Sequence, residues 1–282
     1  MITHKLLASS LFAGAVFCIA CKSKPHPVDL KPEITESAPA LVDSAAAAAT
    51  TPESVPSTTV SDEEHYPGEA GFVCELLQRA DMFKEDGWED MEKLNWFGLF
   101  KTADNKVYLS ATAITAEKTY ESGEHTGWDI KTPGNDDTCY ILVTQYNNLF
   151  RNGAVEEVKH LSYVRLYPGT NTNFRFKNVE YTLKASGKKP DDPGDGMINY
   201  KLYLVSEKDG QMIEELLVQE PFFDDTMVSI YFAGDMDGDG KLDLLLNTAY
   251  KYSFSRPTLY LSKPAEAGHL LKVVGKHTFY GC

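Results

Sequence analysis

The stretch from Asp235 to Asp243 constrains the fold more than any other part of the chain. Its aspartates and glycines are Asp235, Asp237, Gly238, Asp239, Gly240 and Asp243. Glycine lets the backbone curl, so the carboxylates can face a common point. Like charges about 4 Å apart repel by roughly 4 kcal/mol at an effective dielectric near 20. The spacing therefore predicts a bound cation. Calcium is favoured because it takes about six to eight oxygen ligands in a flexible shell.

The segments on both sides of this loop, residues 228–232 and 242–252, have the apolar pattern of strands. An EF-hand has helices there and a bidentate Glu at loop position 12, where this chain has Leu246. Over residues 232–252 the pattern instead resembles the calcium loop of FG-GAP and VCBS-type repeats, which is also seen in dockerin-like modules. The resemblance implies ligation by Asp235, Asp237, Asp239, Asp243 and the Lys241 backbone oxygen. One loop does not predict a propeller, which needs repeated blades, and a metal-free Asp/Gly hairpin is the alternative.

The first twenty residues have the pattern of an export signal. His4 and Lys5 precede an apolar and small stretch, residues 6–20, which is shorter than the roughly 20 apolar residues of a membrane span. It ends in Cys18-Ile19-Ala20-Cys21, which resembles the lipobox of bacterial lipoproteins. The resemblance implies cleavage before Cys21 and lipidation of that residue, and hence a membrane contact through a lipid anchor. An ordinary signal peptide or a short anchor helix is the alternative.

Residues 21–66 are expected to be a disordered tether between the anchor and a folded domain. Six of the fourteen prolines lie here, aromatic residues are missing until Tyr66, and hydrophobic periodicity is absent. Such a composition buries too little apolar surface to offset its ordering entropy. The tether would lift the domain off the membrane surface.

Residues 67–282 are predicted to form one mainly β domain, an antiparallel sandwich, meander or barrel with one or two short N-terminal helices. Apolar residues between 72 and 80 recur at helical spacing, whereas roughly ten later segments have strand patterns. Tight turns are predicted at Lys177-Asn178 and at Lys208-Asp209-Gly210. The predicted strands include residues 106–119, 139–146, 162–167, 200–206, 212–218, 258–262 and 270–274.

The cysteines and the net charge bear on stability and on partners. If Cys21 is lipidated, Cys74, Cys139 and Cys282 remain, and export makes a disulfide between two of them the favoured expectation. The formal net charge of −14 argues against nucleic acid and anionic membrane surfaces as partners. An envelope protein or a glycan stays open as a partner.

No catalytic motif is present: the chain has no His-Glu-x-x-His and no Gly-x-Ser-x-Gly. The sequence therefore favours a lipid-anchored protein of the bacterial cell envelope, expected at the outer membrane, that binds or supports other components and resembles uncharacterised envelope lipoproteins. Two rivals stay open. An envelope hydrolase acting on glycan or peptide predicts a deep cleft with perturbed carboxylates or histidines. A lipoprotein inhibitor or partner-binding protein predicts an exposed apolar patch.

Overall fold

Short apolar runs separated by turns organise the described chain into β-strands. The computed structural model describes residues 71–79, 82–83, 88–189 and 196–280. These residues contain nineteen strands, one short α-helix and one 3₁₀ turn, Lys159–Leu161. The helix and strands are β1 (Leu76–Leu77), β2 (Met82–Phe83), α1 (Trp88–Met91), β3 (Trp96–Lys101), β4 (Val107–Thr112), β5 (Thr115–Glu121), β6 (Glu124–Lys131), β7 (Thr138–Thr144), β8 (Gly153–Ala154), β9 (Glu156–Glu157), β10 (Asn171–Phe176), β11 (Val179–Lys188), β12 (Met197–Lys208), β13 (Gln211–Phe223), β14 (Ser229–Asp235), β15 (Asp243–Asn247), β16 (Phe254–Ser255), β17 (Pro257–Leu261), β18 (Lys272–Lys276) and β19 (Phe279–Tyr280).

The strands form three larger sheets and two small ones. The N-terminal sheet has the order β1-β7-β3-β4-β8, the middle sheet β10-β11-β12-β13, and the aspartate sheet β18-β17-β15-β14-β9. The small sheets are β2-β6-β5 and β16-β19. Every strand pairing is antiparallel, and within the described ranges none of these sheets closes into a barrel. The prediction of a mainly antiparallel β fold is confirmed.

Three apolar cores place the aspartate sheet between the other two large sheets. Leu244 and Leu246 pack with Leu202 of the middle sheet, whereas Leu245 packs with Leu99 of the N-terminal sheet. Successive strand side chains point to opposite faces, so β15 is buried on both faces and carries an uninterrupted apolar run. The third core lies on the far side of the N-terminal sheet, where Trp88, Trp96 and Ile130 pack. The loop between β14 and β15 therefore belongs to the most buried sheet.

The predicted helix over residues 72–80 is wrong at Leu76 and Leu77. These two residues form β1, which pairs with β7. Leu76 lies in the same core as Leu99, and Leu77 lies in the core of Trp88. Burial on both faces of a strand requires adjacent apolar residues, and that pattern is easily mistaken for the apolar stripe of a helix. A short helix does occur, at Trp88–Met91.

Two strand predictions and the disulfide also need correction. Residues 162–167 are not a strand, and only Arg165 forms an isolated bridge, with Ser229. The strand after the aspartate loop ends at Asn247 rather than at residue 252. Cys74 and Cys139 are free thiols, so the expected disulfide is absent from the described residues. Burial raises the pKa of each thiol to about 12.

Both predicted tight turns are confirmed. Lys177 has a φ of 52° between β10 and β11, and Asp209 and Gly210 have φ values of 53° and 77° between β12 and β13. The predicted signal segment, Cys21, the tether and Cys282 lie outside the described residues. Among the residues that are described, no helix is long and apolar enough to span a bilayer.

Candidate metal centre

The aspartate loop is a tight connection inside the central sheet. Asp235 is the last residue of β14 and Asp243 the first residue of β15, and Gly234 and Asp243 are directly paired. The loop reverses direction through Gly238 and Gly240, whose φ values of 75° and 87° suit glycine. Because paired strands hold both ends of the loop, its carboxylates have little freedom to separate.

Three of the predicted ligands converge. One carboxylate oxygen from each of Asp235, Asp237 and Asp239 lies within 4.8 Å of the others. Asp237 is only 4% exposed, and the other two are half-buried. Carboxylates this close and this shielded repel one another strongly unless a cation or a proton joins them. The arrangement therefore has the donor set and the spacing of a site for a hard cation.

One oxygen of Asp235 is enclosed and has no hydrogen-bond partner. The Asp235 side chain is 12% exposed, and its Oδ2 accepts hydrogen bonds from Gly240 N at 3.0 Å and Lys177 Nζ at 3.1 Å. Its Oδ1 is enclosed by the protein and accepts none. A buried acceptor without a partner is costly, and a cation bound by the three aspartates would satisfy it. The residues present thus fit a metal ion.

Asp237 is held in place by backbone donors. Its Oδ1 accepts from Asp239 N at 3.2 Å, and its Oδ2 accepts from Lys263 N at 3.1 Å. Burial, together with the neighbouring charge of Asp239, raises the pKa of Asp237 to about 6 against the lowering effect of these hydrogen bonds. A bound cation would reverse this shift, because it favours the ionised carboxylate.

Asp243 is fully buried and accepts hydrogen bonds from the loop backbone and from Ser262. Its Oδ1 accepts from Ser262 N at 2.8 Å and Ser262 Oγ at 3.0 Å, and its Oδ2 accepts from Met236 N at 2.6 Å and Asp237 N at 3.0 Å. Burial and the charge of Asp237 raise its pKa well above the ordinary value. Asp243 is not among the three converging aspartates, and direct ligation by it stays a prediction. As a ligand it would have to exchange at least one of these four hydrogen bonds.

Asp239 links the loop to the neighbouring strand. Its Oδ1 accepts from Lys241 N at 2.8 Å and lies 2.9 Å from Ser262 Oγ, whose single proton is shared between Asp239 and Asp243. Lys241 Nζ lies 3.5 Å from Asp239 Oδ2. These contacts fix the position of the Lys241 backbone, while ligation by the Lys241 carbonyl oxygen stays a prediction. Sequence reasoning missed Ser262 because it follows β17, nineteen residues after Asp243, and only strand pairing brings it to the loop.

Two charged residues from other strands also reach the loop, and no local pattern indicates them. Lys177 lies in the turn between β10 and β11, and its Nζ is 3.1 Å from Asp235 Oδ2. Glu156 lies in β9, which pairs with β14, and its Oε2 is 3.8 Å from the same ammonium. The loop therefore has a lysine counter-charge supplied by a different sheet.

The adjacent pair Glu156-Glu157 shows that one member of a surface-like acidic pair can be buried. Glu156 is 61% exposed, whereas the Glu157 side chain is 2% exposed, since neighbours in a strand point to opposite faces. Glu157 Oε1 accepts from Ser162 Oγ at 2.8 Å and Tyr140 Oη at 3.2 Å. Glu157 is therefore a buried, hydrogen-bonded carboxylate, whereas Glu156 lies at the surface.

The acidic pair Glu214-Glu215 borders a cleft of about 590 Å³, which lies between β13 and the segment before β18. Glu215 Oε1 is 2.9 Å from His269 Nδ1, and its Oε2 accepts from Leu270 N at 2.7 Å and Leu271 N at 3.0 Å. The described residues that line the cleft include no serine, threonine or cysteine that could act as a nucleophile. Glu215 thus ties the loop before β18 to the middle sheet.

The other acidic turns do not form a comparable centre within the described chain. Asn135 and Asp137 lie in a turn that Arg79 clamps by donating to the backbone oxygens of both residues. Asp137 Oδ2 also accepts from Tyr108 Oη at 2.7 Å. The acidic segment 191–195 lies outside the described residues.

The chain was compared with known proteins. Neither a protein-family model, nor a curated protein, nor a solved structure matches it.

Proposed function

We propose that the protein is a lipid-anchored component of the bacterial cell envelope whose β domain binds one structural calcium ion in the loop between β14 and β15. The observation that carries the proposal is that one carboxylate oxygen from each of Asp235, Asp237 and Asp239 lies within 4.8 Å of the others, and it is supported by the enclosed Asp235 Oδ1, which lacks a hydrogen-bond partner. The ion would neutralise these carboxylates and hold β14 and β15 together at the centre of the fold.

Calcium fits the loop better than magnesium does. Calcium accepts a variable number of oxygens at about 2.3–2.6 Å, whereas magnesium demands a near-octahedral shell and retains its waters. The loop offers aspartates fixed by different backbone donors, together with Lys241 and Asp243, whose ligation the sequence predicts. Such a mixed set suits the larger and more adaptable ion.

The location follows from the N-terminal sequence. Cys18-Ile19-Ala20-Cys21 supports lipidation at Cys21, and the proline-rich tether supports presentation of the domain away from the membrane. An anchor with several acyl chains is strong, since each buried methylene contributes about 0.8 kcal/mol. Calcium is abundant outside the cytoplasm, which agrees with a calcium site in an exported domain. The domain would act there as a binding or structural module for an envelope protein or a glycan.

The calcium site is tested by thermal unfolding with calcium and with chelator. A ligand at about 100 times its dissociation constant stabilises the folded state by about 2.7 kcal/mol, which corresponds to roughly 5–10 °C for a domain of this size. We expect Asp237→Ala to abolish the calcium-dependent shift. Asp136→Ala, which changes an exposed aspartate in another acidic turn, should retain it. Equal melting temperatures of the unmodified protein in calcium and chelator would refute the site.

The anchor is tested separately by metabolic labelling with a radiolabelled fatty acid in a bacterial host. The unmodified chain should incorporate label and fractionate with membranes, and Cys21→Ala should do neither. Incorporation of label into the Cys21→Ala chain would contradict lipidation at this residue.

A further inference from the structure

The ammonium group of Lys177 reaches the aspartate loop from the middle sheet. Lys177 occupies the turn between β10 and β11, and its Nζ lies 3.1 Å from Asp235 Oδ2 and 3.8 Å from Glu156 Oε2. The same group lies 5.2 Å from the centre of the Phe176 ring. The turn thus places a positive charge beside the Asp235 carboxylate of the loop.

Lys177 binds the same carboxylate that has an enclosed, unpartnered oxygen. Asp235 Oδ2 accepts from Lys177, while Oδ1 has no partner. A divalent ion on Oδ1 and an ammonium on Oδ2 would share one carboxylate, and like charges at such distances repel. The loop cannot hold both cations as strongly as it holds either one alone.

Resting on the proposed calcium site, we propose that Lys177 is an internal counter-cation that competes with the divalent ion for Asp235 and so sets the affinity of the loop for calcium. Without the ion, Lys177 neutralises part of the charge of the loop. When the ion binds, the contact between Lys177 and Asp235 weakens. Linkage is reciprocal, so the ion weakens the contact between Lys177 and Asp235 by the same free energy by which that contact weakens ion binding.

Other lysines near the loop have a different relation to it. Lys241 belongs to the loop itself, its Nζ is 3.5 Å from Asp239 Oδ2, and its side chain is more exposed than that of Lys177. Lys263 acts on Asp237, because its backbone N–H donates to Asp237 and its charge lowers the pKa of that carboxyl. Lys177 alone among these three comes from another sheet. Its hydrogen bond to Asp235 therefore joins the middle sheet to the aspartate loop.

The test measures calcium affinity by titration calorimetry for three variants of the full chain. Lys177→Met removes the charge and keeps most of the aliphatic stem. Lys177→Arg keeps the charge. Lys184→Met is the matched control, because Lys184 lies in the same hairpin and pairs with Glu214 at 3.0 Å. Coupling between two sites is typically about 5- to 150-fold. For a partly exposed ammonium we expect Lys177→Met to bind calcium about five- to ten-fold more tightly, with Lys177→Arg and Lys184→Met within about two-fold of the unmodified protein.

Melting temperatures give a second readout. Without calcium, Lys177→Met should melt below the unmodified protein, and calcium should reduce or reverse this difference. Unchanged calcium affinity in Lys177→Met, together with the same loss of stability in calcium and chelator, would overturn the inference and leave Lys177 as a packing residue. If the unmodified protein and Lys177→Met both failed to bind calcium, the proposed calcium site would fail, and the competition would fail with it.

Discussion

Acidification should stabilise the metal-free protein through Asp237. Burial raises the pKa of this carboxyl from 3.8 to about 6 in the folded state. The folded protein therefore binds a proton more readily than the unfolded chain over the window between these two values. Stability falls as the pH rises through this window, and it rises as the pH falls.

The size of the effect follows from the shifted pKa. Lowering the pH from about 7.5 to about 5 should increase the free energy of unfolding by roughly 1.4 kcal/mol from this residue alone. For a domain of this size this corresponds to about 3–5 °C in melting temperature. Calcium should oppose the trend, since the ion and the proton compete for the same carboxylate. The stabilisation by calcium is therefore expected to shrink as the pH falls.

The assay is chemical unfolding in chelator across this pH range, for the unmodified protein and Asp237→Asn. Asparagine does not titrate and keeps one oxygen to accept from Asp239 N or Lys263 N, so it mimics the protonated acid. We expect the advantage of Asp237→Asn over the unmodified protein to be largest near neutral pH, to shrink by roughly 1.4 kcal/mol by pH 5, and to vanish only below the unfolded pKa of 3.8. Parallel pH profiles of the two proteins would refute the argument that burial perturbs this carboxyl.

Two further predictions concern packing within the domain. Glu220 and Arg256 form an ion pair at 3.1 Å with both side chains 3% exposed. Glu220→Ala should therefore destabilise the protein by about 3–5 kcal/mol in denaturant unfolding, because a buried guanidinium loses its carboxylate; a loss below about 1 kcal/mol would contradict this. A Cβ at Gly234 would overlap the backbone oxygen of Glu156. Gly234→Ala should therefore lower the free energy of unfolding by about 1–3 kcal/mol and raise the rate of amide exchange at Glu157. An unchanged free energy of unfolding would show that β9 and β14 do not pack closely at Gly234.

Local patterns predict the hairpins because their determinants are local. Asp209 and Gly210 occupy the positive-φ positions that such a turn requires, and the strands on both sides pair directly across it. The same holds for the aspartate loop, where Gly238 and Gly240 take the predicted turn and three of the four aspartates converge. The spacing of residues within one turn determines both features.

The contacts that other strands make with the loop depend on long-range pairing, which local sequence patterns do not indicate. Ser262 reaches Asp239 and Asp243 only because β17 pairs with β15, and Lys177 reaches Asp235 only because the middle sheet packs beside the loop. The pattern of Leu76 and Leu77 resembles that of a helix because their strand is buried on both faces by contacts with two separate cores. A hydrophobic pattern shows that a residue is buried, but the partner that buries it lies elsewhere in the chain.

The central claim is that Asp235, Asp237 and Asp239 together bind one calcium ion. Its most direct test is a calorimetric titration of the purified, chelator-treated protein with calcium, run beside Asp237→Ala and Asp136→Ala. We predict saturable heat with one ion per chain for the unmodified protein and Asp136→Ala, and none for Asp237→Ala. No heat from the unmodified protein, or equal heat from Asp237→Ala, would contradict the claim.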